Sequence, residues 1–388
     1  MDEQERMASI GAKAASAPGP KPRGTRTGFT TGANATACVV GALLCLLDGV
    51  ERQTVRITLP EGQTPDFTLV WTRKETDGGV TCAAVKDGGD DPDATHGAEI
   101  RATVRLNGLA GQVRFLQGEG VGTVTKPGLG LEVGGPAINP TPRRMMTEHA
   151  LRLLAEYGRS DEGLDVCVSV KDGAIIARKT LNARLGILGG ISILGRSGIV
   201  YPYSTAAYVA SIEQGIEVAL HQGCSTVVLS TGGLTEQFAM GMRKDLPEAA
   251  FVQMGDYVGK ALAHCAKLGV VRALVVGQMG KVAKLAQGEV HTHARKSAVD
   301  LTQLADLAHE CGASEEETAK IAAGTTARYA WEISRGRPWQ QAFLDGLCSR
   351  AAEVAKAHVR AQAQGVDLIV ESWLLDFEKP VRIGWAER

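Results

Sequence analysis

The sequence predicts a two-domain protein in which an α+β domain with an antiparallel sheet precedes a Rossmann-like α/β domain. Three observations support this prediction. The length of 388 residues suits about two domains. Residues 54–117 form short alternating segments separated by turn residues, which is typical of antiparallel strands. After about Tyr201, helical and strand-like segments alternate, and this alternation favours a parallel sheet covered by helices.

The α+β domain is expected to span residues 26–200. Its first element is a helix from about Ala33 to Leu47, which Thr30 or Thr31 can cap. Strands are predicted in "TVRITLP", "DFTLVWTR", "VTCAAVK", "EIRATVRL" and "GQVRFLQ". A second helix begins after the prolines of "NPTPRRMMTEHALRLLAEYG". The segments "DVCVSV" and "AIIARKTL" then return to strand.

The α/β domain is expected to span residues 201–365. Helices are predicted in "STAAYVASIEQGIEVALHQG" and "TEQFAMGMRKDL", and strands in "STVVLS", "AFVQMG" and "VRALVVG". Residues 301–363 are nearly all helical in pattern, and "VDLIVESWLL" is a closing strand. That closing segment, residues 366–388, could return to the first domain.

Composition and charge narrow the function classes. A formal net charge of -1 gives no electrostatic reason to expect a nucleic-acid partner. The eight cysteines include no C-x-x-C pair, which excludes zinc-ribbon and thioredoxin spacing and favours reduced, mostly buried thiols. Residues 1–25 lack the apolar core of a signal peptide and are expected to form a disordered leader. The apolar run "ACVVGALLCLLDGV" is too short to span a bilayer, so we expect a soluble, cytoplasmic protein without a membrane partner.

Three strand ends of the second domain indicate a cofactor site. The segments "VVLSTGGLTEQ" and "ALVVGQMGKVAK" each predict strand, glycine loop and helix, and ligands of parallel sheets bind beyond the carboxyl ends of the strands. Neither segment matches G-x-G-x-x-G or a Walker A sequence, so ordinary strand–helix turns remain an alternative. A carboxylate after the third strand can accept ribose hydroxyls. The expected cofactor-binding residues are Thr231, Gly232, Gly233, Gly255, Asp256, Gly277, Gly280 and Lys281.

Two glycine-rich stretches of the first domain, "QGEGVGTVTKPGLGLEVGGPAINPTPRR" and "NARLGILGGISILGRSGIVYPYS", are candidate anion-binding loops. Long loops without periodicity are usually functional or disordered. Their polar residues are Lys126, Arg143, Arg144, Arg184, Arg196, Ser197 and Ser204. The piece GEGVG is similar to the phosphate loop of small-molecule kinases but lacks the G-K-[ST] ending. A kinase therefore remains an alternative function.

The segment "KDGGDDPDATHG" concentrates four aspartates, Asp87, Asp90, Asp91 and Asp93, before His96. Calcium-loop spacing would place an alanine at the twelfth position from either candidate start, where a bidentate acid is required. A mixed carboxylate–histidine metal site, a solvated Asp-Pro turn, and a proton-handling or substrate-orienting cluster remain open. His291 and His293, in "HTHARKSAVD", are better explained by a polar loop than by a metal site.

Five motifs in sequence order carry a family resemblance: "TRTGFTTGANATA", "KDGGDDPDATHG", "GEGVGTVTKPGL", "GPAINPTPR" and "GGISILGRSGIVYPYS". They resemble the cobalt-precorrin-5B C(1)-methyltransferase family, the CbiD type, of vitamin B12 biosynthesis. The resemblance extends from about Arg26 to at least Asp300. It implies S-adenosylmethionine-dependent methylation of C1 of cobalt-precorrin-5B, giving cobalt-precorrin-6A. Asn34 departs from a family cysteine, and Gln278 with Met279 replaces a His-Pro pair.

The resemblance also implies roles for individual residues. In-line methyl transfer depends mainly on positioning two ligands, and the macrocycle carries several carboxylates that suit cationic partners. The expected catalytic residues are Asp90, Asp91 and His96, without a metal. The expected substrate-binding residues are Thr30, Thr31, Lys86, Asp87, Asp93, Lys126, Arg143, Arg184, Arg196, Ser197 and Ser204. A non-catalytic tetrapyrrole carrier is a further alternative, and a homo-oligomer is left open.

Overall fold

The computed structural model describes residues 24–293, 297–363 and 365–388, so the expected leader falls almost wholly outside the described part. The fold is mixed α/β, with two five-stranded sheets and smaller two-stranded ones. The strands are β1 (Gly28–Phe29), β2 (Thr54–Arg56), β3 (Asp66–Thr68), β4 (Trp71–Lys74), β5 (Val80–Val85), β6 (Glu99–Leu106), β7 (Val113–Gln117), β8 (Thr123–Val124), β9 (Leu164–Val170), β10 (Ile187–Leu188), β11 (Ile199–Val200), β12 (Thr226–Ser230), β13 (Phe251–Gln253), β14 (Arg272–Gly277), β15 (Ile369–Leu375) and β16 (Arg382–Glu387). The helices are α1 (Thr31–Asp48), α2 (Pro140–Glu156), α3 (Gly173–Ala177), α4 (Thr205–His221), α5 (Gly233–Met242), α6 (Val258–Leu268), α7 (Met279–Ala286), α8 (Leu301–Glu310), α9 (Glu315–Ala322), α10 (Ala327–Ser334) and α11 (Gln340–Gln362).

The first sheet has the order β4-β5-β6-β9-β7, and α1 and α2 pack on it around one hydrophobic core. α1 begins where the Thr30 hydroxyl accepts the N–H of Ala33 at 3.2 Å, which confirms the predicted cap. It ends at Gly49, whose φ of 79° favours glycine. Within α1, Gly41 permits close packing, because a Cβ there would lie 2.3 Å from Leu69.

Two local predictions for the first half are wrong. β7 and β9 are parallel rather than antiparallel, because α2 crosses over between them and returns the chain in the same direction. The segment "AIIARKTL" is not a strand, since residues 173–177 form α3. There the backbone turns at Asp172, with φ of 56°, and the Asp172 carbonyl accepts the N–H groups of Ile175 and Ile176. A Cβ on Gly173 would lie 2.1 Å from the carbonyl oxygen of Gly120, so this close contact requires glycine at the first residue of α3.

The second sheet has the order β13-β12-β14-β15-β16, in which the first four strands are parallel and β16 is antiparallel. The chain leaves β12 for β13 on one side and then crosses to β14 on the other. This creates a topological switch point between the carboxyl ends of β12 and β14. The helices α4–α11 surround a second hydrophobic core around this sheet.

The closing strand belongs to the second sheet, so its return to the first half is wrong. β15 pairs in parallel with β14, from Arg272 opposite Ile369 to Gly277 opposite Leu374. Ion pairs join Arg272 of β14 to Glu371 of β15 and to Glu387 of β16. These charges lie on three adjacent strands and favour this register over a one-residue slip.

Helix α1 has a strongly apolar sequence, with a mean hydropathy of 1.5. Within the described residues it is long and apolar enough, by length and composition, to cross a membrane, although the sequence predicted a run that is too short. In the fold, 78% of this helix is buried inside the protein. Its apolar surface is therefore covered by the first sheet and α2.

The cysteines are free thiols, as their spacing predicted. Six of the eight are buried, and Cys167 and Cys311 are partly exposed. Burial raises the pKa of the Cys265 and Cys348 thiols to about 12. These thiols are therefore core residues of low reactivity.

His149 makes the stability of the first half dependent on pH. Its Nε2 accepts the N–H of Thr58 at 2.9 Å, and its Nδ1 lies 2.8 Å from the carbonyl of Met145. This arrangement requires a neutral ring with the proton on Nδ1. Burial lowers the pKa of His149 below its ordinary value of 6.5.

We expect the free energy of unfolding to fall as the pH decreases from about 7 to about 5.5, because the unfolded chain binds a proton that the folded chain resists. The contribution is fully present above the unfolded pKa and decreases as the pH falls toward the folded pKa. Urea unfolding of the wild type and of His149→Gln across this range measures it. Parallel pH profiles for the two proteins would contradict this assignment.

Candidate functional site

The aspartate-rich segment lies beside the start of the chain's ordered structure. The N–H of Phe29 donates to the carbonyl of Asp87 at 2.8 Å, and the N–H of Asp90 donates to the carbonyl of Arg26 at 2.9 Å. A Cβ on Gly28 would lie 2.2 Å from the backbone of Gly88. Glycine at position 28 therefore lets two backbone segments touch, and this fixes the loop of residues 86–97, called here the acidic loop.

Three of the four aspartates form ion pairs, and that of Asp90 with the Arg26 guanidinium is the longest, at 3.8 Å. Asp87 binds the guanidinium of Arg26, with an Nη2–Oδ1 distance of 3.0 Å, and this hydrogen bond lowers the pKa of Asp87 to about 2. Asp93 binds Lys86 at 2.5 Å, and Lys86 is almost fully buried. Burial alone raises the pKa of Asp93, but Lys86 outweighs it and the net shift is downward. Lys86, Asp87 and Asp93, expected to bind substrate, thus also hold the loop together.

Asp90 and Asp91 accept backbone N–H groups. Asp90 accepts from Arg26 at 2.8 Å, and Asp91 accepts from Tyr203 at 2.9 Å. His96 accepts the N–H of Gly88 on Nδ1 at 3.0 Å, which places the proton of a neutral ring on Nε2. About half of the His96 side chain is exposed. The acidic loop therefore presents carboxylates and one imidazole N–H at the protein surface.

The strand-end cleft lies at the switch point of the second sheet. It is lined by Thr231, Val258, Val275, Gly277, Lys281, Val282 and Leu285, so its walls are mostly apolar. Lys281 forms an ion pair with Asp256, whose carboxylate also accepts the Thr292 hydroxyl at 3.1 Å. Burial raises the pKa of Asp256, but these partners outweigh it, so the net shift is downward. Thr231, Asp256, Gly277 and Lys281 thus come together.

The other glycines that were predicted to bind the cofactor differ in their surroundings. A Cβ on Gly232 or Gly280 would meet no atom within 4 Å, so the space beside these two positions is open. Gly233 is the first residue of α5 and lies near the side chain of Gln253. Gly255 has φ of 57°, and a Cβ there would lie 2.7 Å from the Tyr208 hydroxyl. Both the left-handed backbone conformation and the close contact with Tyr208 therefore favour glycine at position 255.

Arg184 connects the two halves instead of facing a ligand. Its guanidinium donates to both oxygens of Glu236 at 3.1 and 2.9 Å, and to the carbonyl of Phe251 at 2.8 Å. Glu236 is nearly buried and also accepts from Gln253 at 2.6 Å. An adjoining, mostly apolar cavity of about 450 Å³ lies between the Arg184 loop, α4 and β13. Substrate binding by Arg184 stays a prediction, and it would require this side chain to exchange Glu236 for the substrate carboxylate.

Several other predicted substrate residues are engaged within the protein. Thr30 caps α1, and Thr31 donates to the carbonyl of Ser192 at 3.2 Å while accepting the N–H of Leu194. Both threonines are buried, so neither hydroxyl is available as predicted. Ser204 caps α4 by accepting the N–H of Ala207.

Two basic residues of the first glycine-rich stretch are also bonded within the protein. Arg143 donates to the carbonyls of Ile138 and Pro136, and burial lowers the pKa of Arg143. Lys126 donates to Gln222 of α4 at 2.9 Å. Arg143 therefore holds its own loop, and Lys126 is a second connection between the halves. Substrate binding by both residues stays a prediction.

Two residues of the second glycine-rich stretch differ in exposure. Ser197 donates to the carbonyl of Ile199 and accepts the N–H of the same residue, so its hydroxyl is bonded within a local turn, and its role toward substrate stays a prediction. Arg196 is exposed. Of the two, Arg196 is the one that faces solvent as a substrate-binding cation must.

The GEGVG segment serves backbone packing. Gly118 and Gly120 are buried, and a Cβ on them would lie 1.9 Å from the carbonyl of Val168 and 2.0 Å from that of Val170. The two glycines are therefore explained by close approach to the end of β9. This observation disfavours a phosphate loop and with it the kinase alternative.

A chain of contacts joins the acidic loop to the strand-end cleft. Tyr203, which donates to Asp91, is followed by the cap of α4 and by Thr205, whose hydroxyl lies 3.2 Å from that of Tyr257. The Tyr257 ring is 5.5 Å from that of Tyr208 and stacks on His291 at 4.8 Å. Tyr257 directly follows Asp256. The two parts of the predicted site are thus connected through the start of α4.

Sequence reasoning missed the residues that make these connections. They are Arg26, Tyr203, Tyr208, Glu236 and Tyr257. Glu236 alone had a usable signal, because a carboxylate in the apolar helix after a glycine loop requires a cationic partner when buried. In the part of the chain that the structure describes, no group of three His, Cys, Asp or Glu residues is placed to hold a metal ion.

The fold and the site together define a class. A mostly apolar cleft at the switch point of a parallel sheet, which includes a lysine paired with an aspartate and is connected to a separate acidic loop, is typical of α/β proteins that bind small molecules between two parts of the chain.

The chain belongs to the CbiD family. The family model CbiD matches residues 19–202, and the model of the CbiD C-terminal domain matches residues 291–383. A cobalt-precorrin-5B C(1)-methyltransferase of Polaromonas naphthalenivorans is 47% identical over 87% of this chain and 92% of its own length. One of Burkholderia pseudomallei is 44% identical over 90% and 95%. The crystal structure of a cobalamin biosynthesis protein (CbiD) from Archaeoglobus fulgidus is 26% identical, covering 70% of this chain and 84% of that one with a TM-score of 0.38.

Breaking the Arg184–Glu236 pair should destabilise the protein. Arg184→Met leaves a nearly buried carboxylate without its cation, so we expect a loss of about 3 kcal/mol in the free energy of unfolding. The matched control is Arg184→Met combined with Glu236→Gln, which removes both charges and should recover most of the loss. Denaturant unfolding measures both variants. Equal stability of the single and double variants would show that the pair is not coupled.

Proposed function

We propose that this chain transfers a methyl group from S-adenosylmethionine to C1 of cobalt-precorrin-5B in cobalamin biosynthesis. The observation that carries the proposal is the set of relatives with this name, which are 43–48% identical over 83–95% of the chain. The proposed product is cobalt-precorrin-6A, and the proposed location is the cytoplasm.

We assign the two ligands to different parts of the chain. Residues 201–365, with the parallel sheet, form a Rossmann-like unit on the donor side, to which the closing strand is added. Residues 26–200, with the acidic loop, form the substrate side. This division is supported by the two separate hydrophobic cores and by the position of the cleft at the strand ends.

The residues of the strand-end cleft fit a nucleoside donor. Gly232 leaves open space beside the end of β12, and the Asp256 carboxylate is positioned to accept ribose hydroxyls once Lys281 moves aside. Tyr208 and Tyr257 add aromatic surface next to Gly255. The donor supplies an electrophilic methyl group, so the protein needs to hold and orient both ligands, without a covalent enzyme intermediate.

On the substrate side, we assign Asp90, Asp91 and His96 to the surface that faces the macrocycle. His96 presents an Nε2–H because Gly88 occupies Nδ1, and it can donate to a substrate oxygen or nitrogen. Asp91 places a negative charge directly at the junction with the donor side, because it is bonded to Tyr203. Arg196 is an exposed cation for a macrocycle carboxylate.

The decisive experiment is incubation of the purified protein with labelled S-adenosylmethionine and cobalt-precorrin-5B, followed by mass spectrometry. One added methyl group supports the proposal. Binding of the macrocycle without affinity for S-adenosylmethionine would instead support a tetrapyrrole carrier. A requirement for a nucleoside triphosphate and magnesium would indicate a kinase.

Asp91→Asn should lower turnover while preserving the fold. The amide oxygen of asparagine can still accept the Tyr203 N–H, so the connection to α4 survives and only the charge is removed. If the carboxylate acts in the reaction, we expect a loss of about 10²–10⁴-fold in kcat with unchanged donor affinity and melting temperature. Asp91→Ala, which also removes the acceptor, is the comparison variant. Wild-type turnover in Asp91→Asn would assign this residue to the connection alone.

Asp256→Ala should weaken donor binding. Loss of hydrogen bonds to the ribose predicts a decrease of about 1–3 kcal/mol in the binding free energy of S-adenosylhomocysteine, measured by calorimetry. Asp245→Ala is the matched control, because Asp245 is an exposed aspartate that pairs with Arg243 on the same half. Equal affinity of Asp256→Ala and the wild type would place the donor elsewhere.

A further inference from the structure

Two lysines of α7 converge on one carbonyl oxygen behind the strand-end cleft. Lys281 and Lys284 are three residues apart and therefore neighbours on the helix surface. The Nζ of Lys281 donates to the carbonyl of Thr292 at 3.1 Å, and the Nζ of Lys284 donates to the same oxygen at 3.3 Å. The carbonyl oxygen of Thr292 thus accepts hydrogen bonds from two ammonium groups.

The charges of this cluster do not balance. Among the described residues, Asp256 is the carboxylate bonded to the cluster, through Lys281 and the Thr292 hydroxyl. Lys284 is 8% exposed, whereas Glu289, another acid whose charge acts on Lys284, is exposed. Burial lowers the pKa of Lys284, and the charge of Lys281 lowers it further. A buried surplus of positive charge is costly unless an anion compensates it.

The place for an anion lies on the cleft side of Lys281. Lys281 lines the cleft together with Thr231 and Gly277. The first turn of α7 is close by, and its N-cap residue, Gln278, makes no side-chain cap hydrogen bond. The positive end of the helix dipole and the lysine charge therefore both favour a negative group at this point.

We propose that the strand-end cleft binds a ligand carboxylate through Lys281, and that Lys284 is a positioning residue for this contact. Lys284 keeps the Thr292 carbonyl engaged when Lys281 turns from Thr292 and Asp256 toward the ligand. Asp256 is then released for a second contact. The inference rests on the proposed function, which offers two carboxylate sources: the amino-acid end of the methyl donor and the acidic side chains of the macrocycle.

The test compares Lys281→Met and Lys284→Met with the control Lys267→Met, which lies at the exposed carboxyl end of α6. Calorimetry measures the binding of S-adenosylhomocysteine and of its decarboxylated analogue to each protein. We expect the wild type and the control to prefer the carboxylate-bearing ligand by about 10- to 100-fold. Both test variants should lose most of this preference. Since Lys284→Met removes a surplus buried charge, its melting temperature should not fall.

A second arm identifies the source of the carboxylate. If the wild type binds both nucleosides equally, and the test variants raise the KM for cobalt-precorrin-5B about tenfold, the carboxylate belongs to the macrocycle. Unchanged affinities and KM in both variants, with a lower melting temperature of Lys284→Met, would overturn the proposal and leave Lys284 a structural role. Wild-type methyl transfer is measured first. Its absence counts against the proposed function, whereas normal transfer with unchanged variants counts against this inference alone.

Discussion

Arg184 extends from the loop before β10 into the second half of the chain, where Glu236 and the carbonyl of Phe251 hold its guanidinium. Because Glu236 is nearly buried, it depends on Arg184 and Gln253 for its neutralisation and its hydrogen bonds. The ends of β12 and β13 are thereby fixed relative to the glycine-rich loops of the first half. Any ligand that bridges the acidic loop and the strand-end cleft requires this fixed distance, so the geometry of the site depends on this ion pair together with the Lys126–Gln222 and Tyr203–Asp91 contacts.

The local elements of the fold could be predicted because their signals are local. The cap at Thr30 and the alternation of "EIRATVRL" led directly to α1 and β6. The same approach failed for "AIIARKTL", whose apolar pattern suits a strand, because the backbone turns at Asp172 and its carbonyl accepts the N–H groups of Ile175 and Ile176. It also failed to place the closing strand, since the charges of Arg272 and its partners on β15 and β16 meet only after folding.

The site shows the same limit at the level of side chains. The acidic segment and the glycine loops were identified from their composition, but their partners lie far away in sequence. Arg26 binds Asp90 across 64 residues, and Tyr203 binds Asp91 across 112. Thr31 and Arg143 were assigned to substrate because their residue types suit an anion, whereas the fold uses both within the protein. The type of a residue indicates which groups its side chain can bind. The partners that it has within the protein depend on the tertiary structure.

The partners of the acidic loop also restrict its chemistry. A general acid or base works best when its pKa lies near the operating pH. The pKa of Asp87 is lowered to about 2 by Arg26, and that of Asp93 is lowered by Lys86, so both stay ionised near neutrality. They are poor proton carriers and act as fixed negative charges that orient the loop. The proposed contacts with the macrocycle are therefore left to the Nε2–H of His96, whose Nδ1 accepts the N–H of Gly88, and to Asp90 and Asp91.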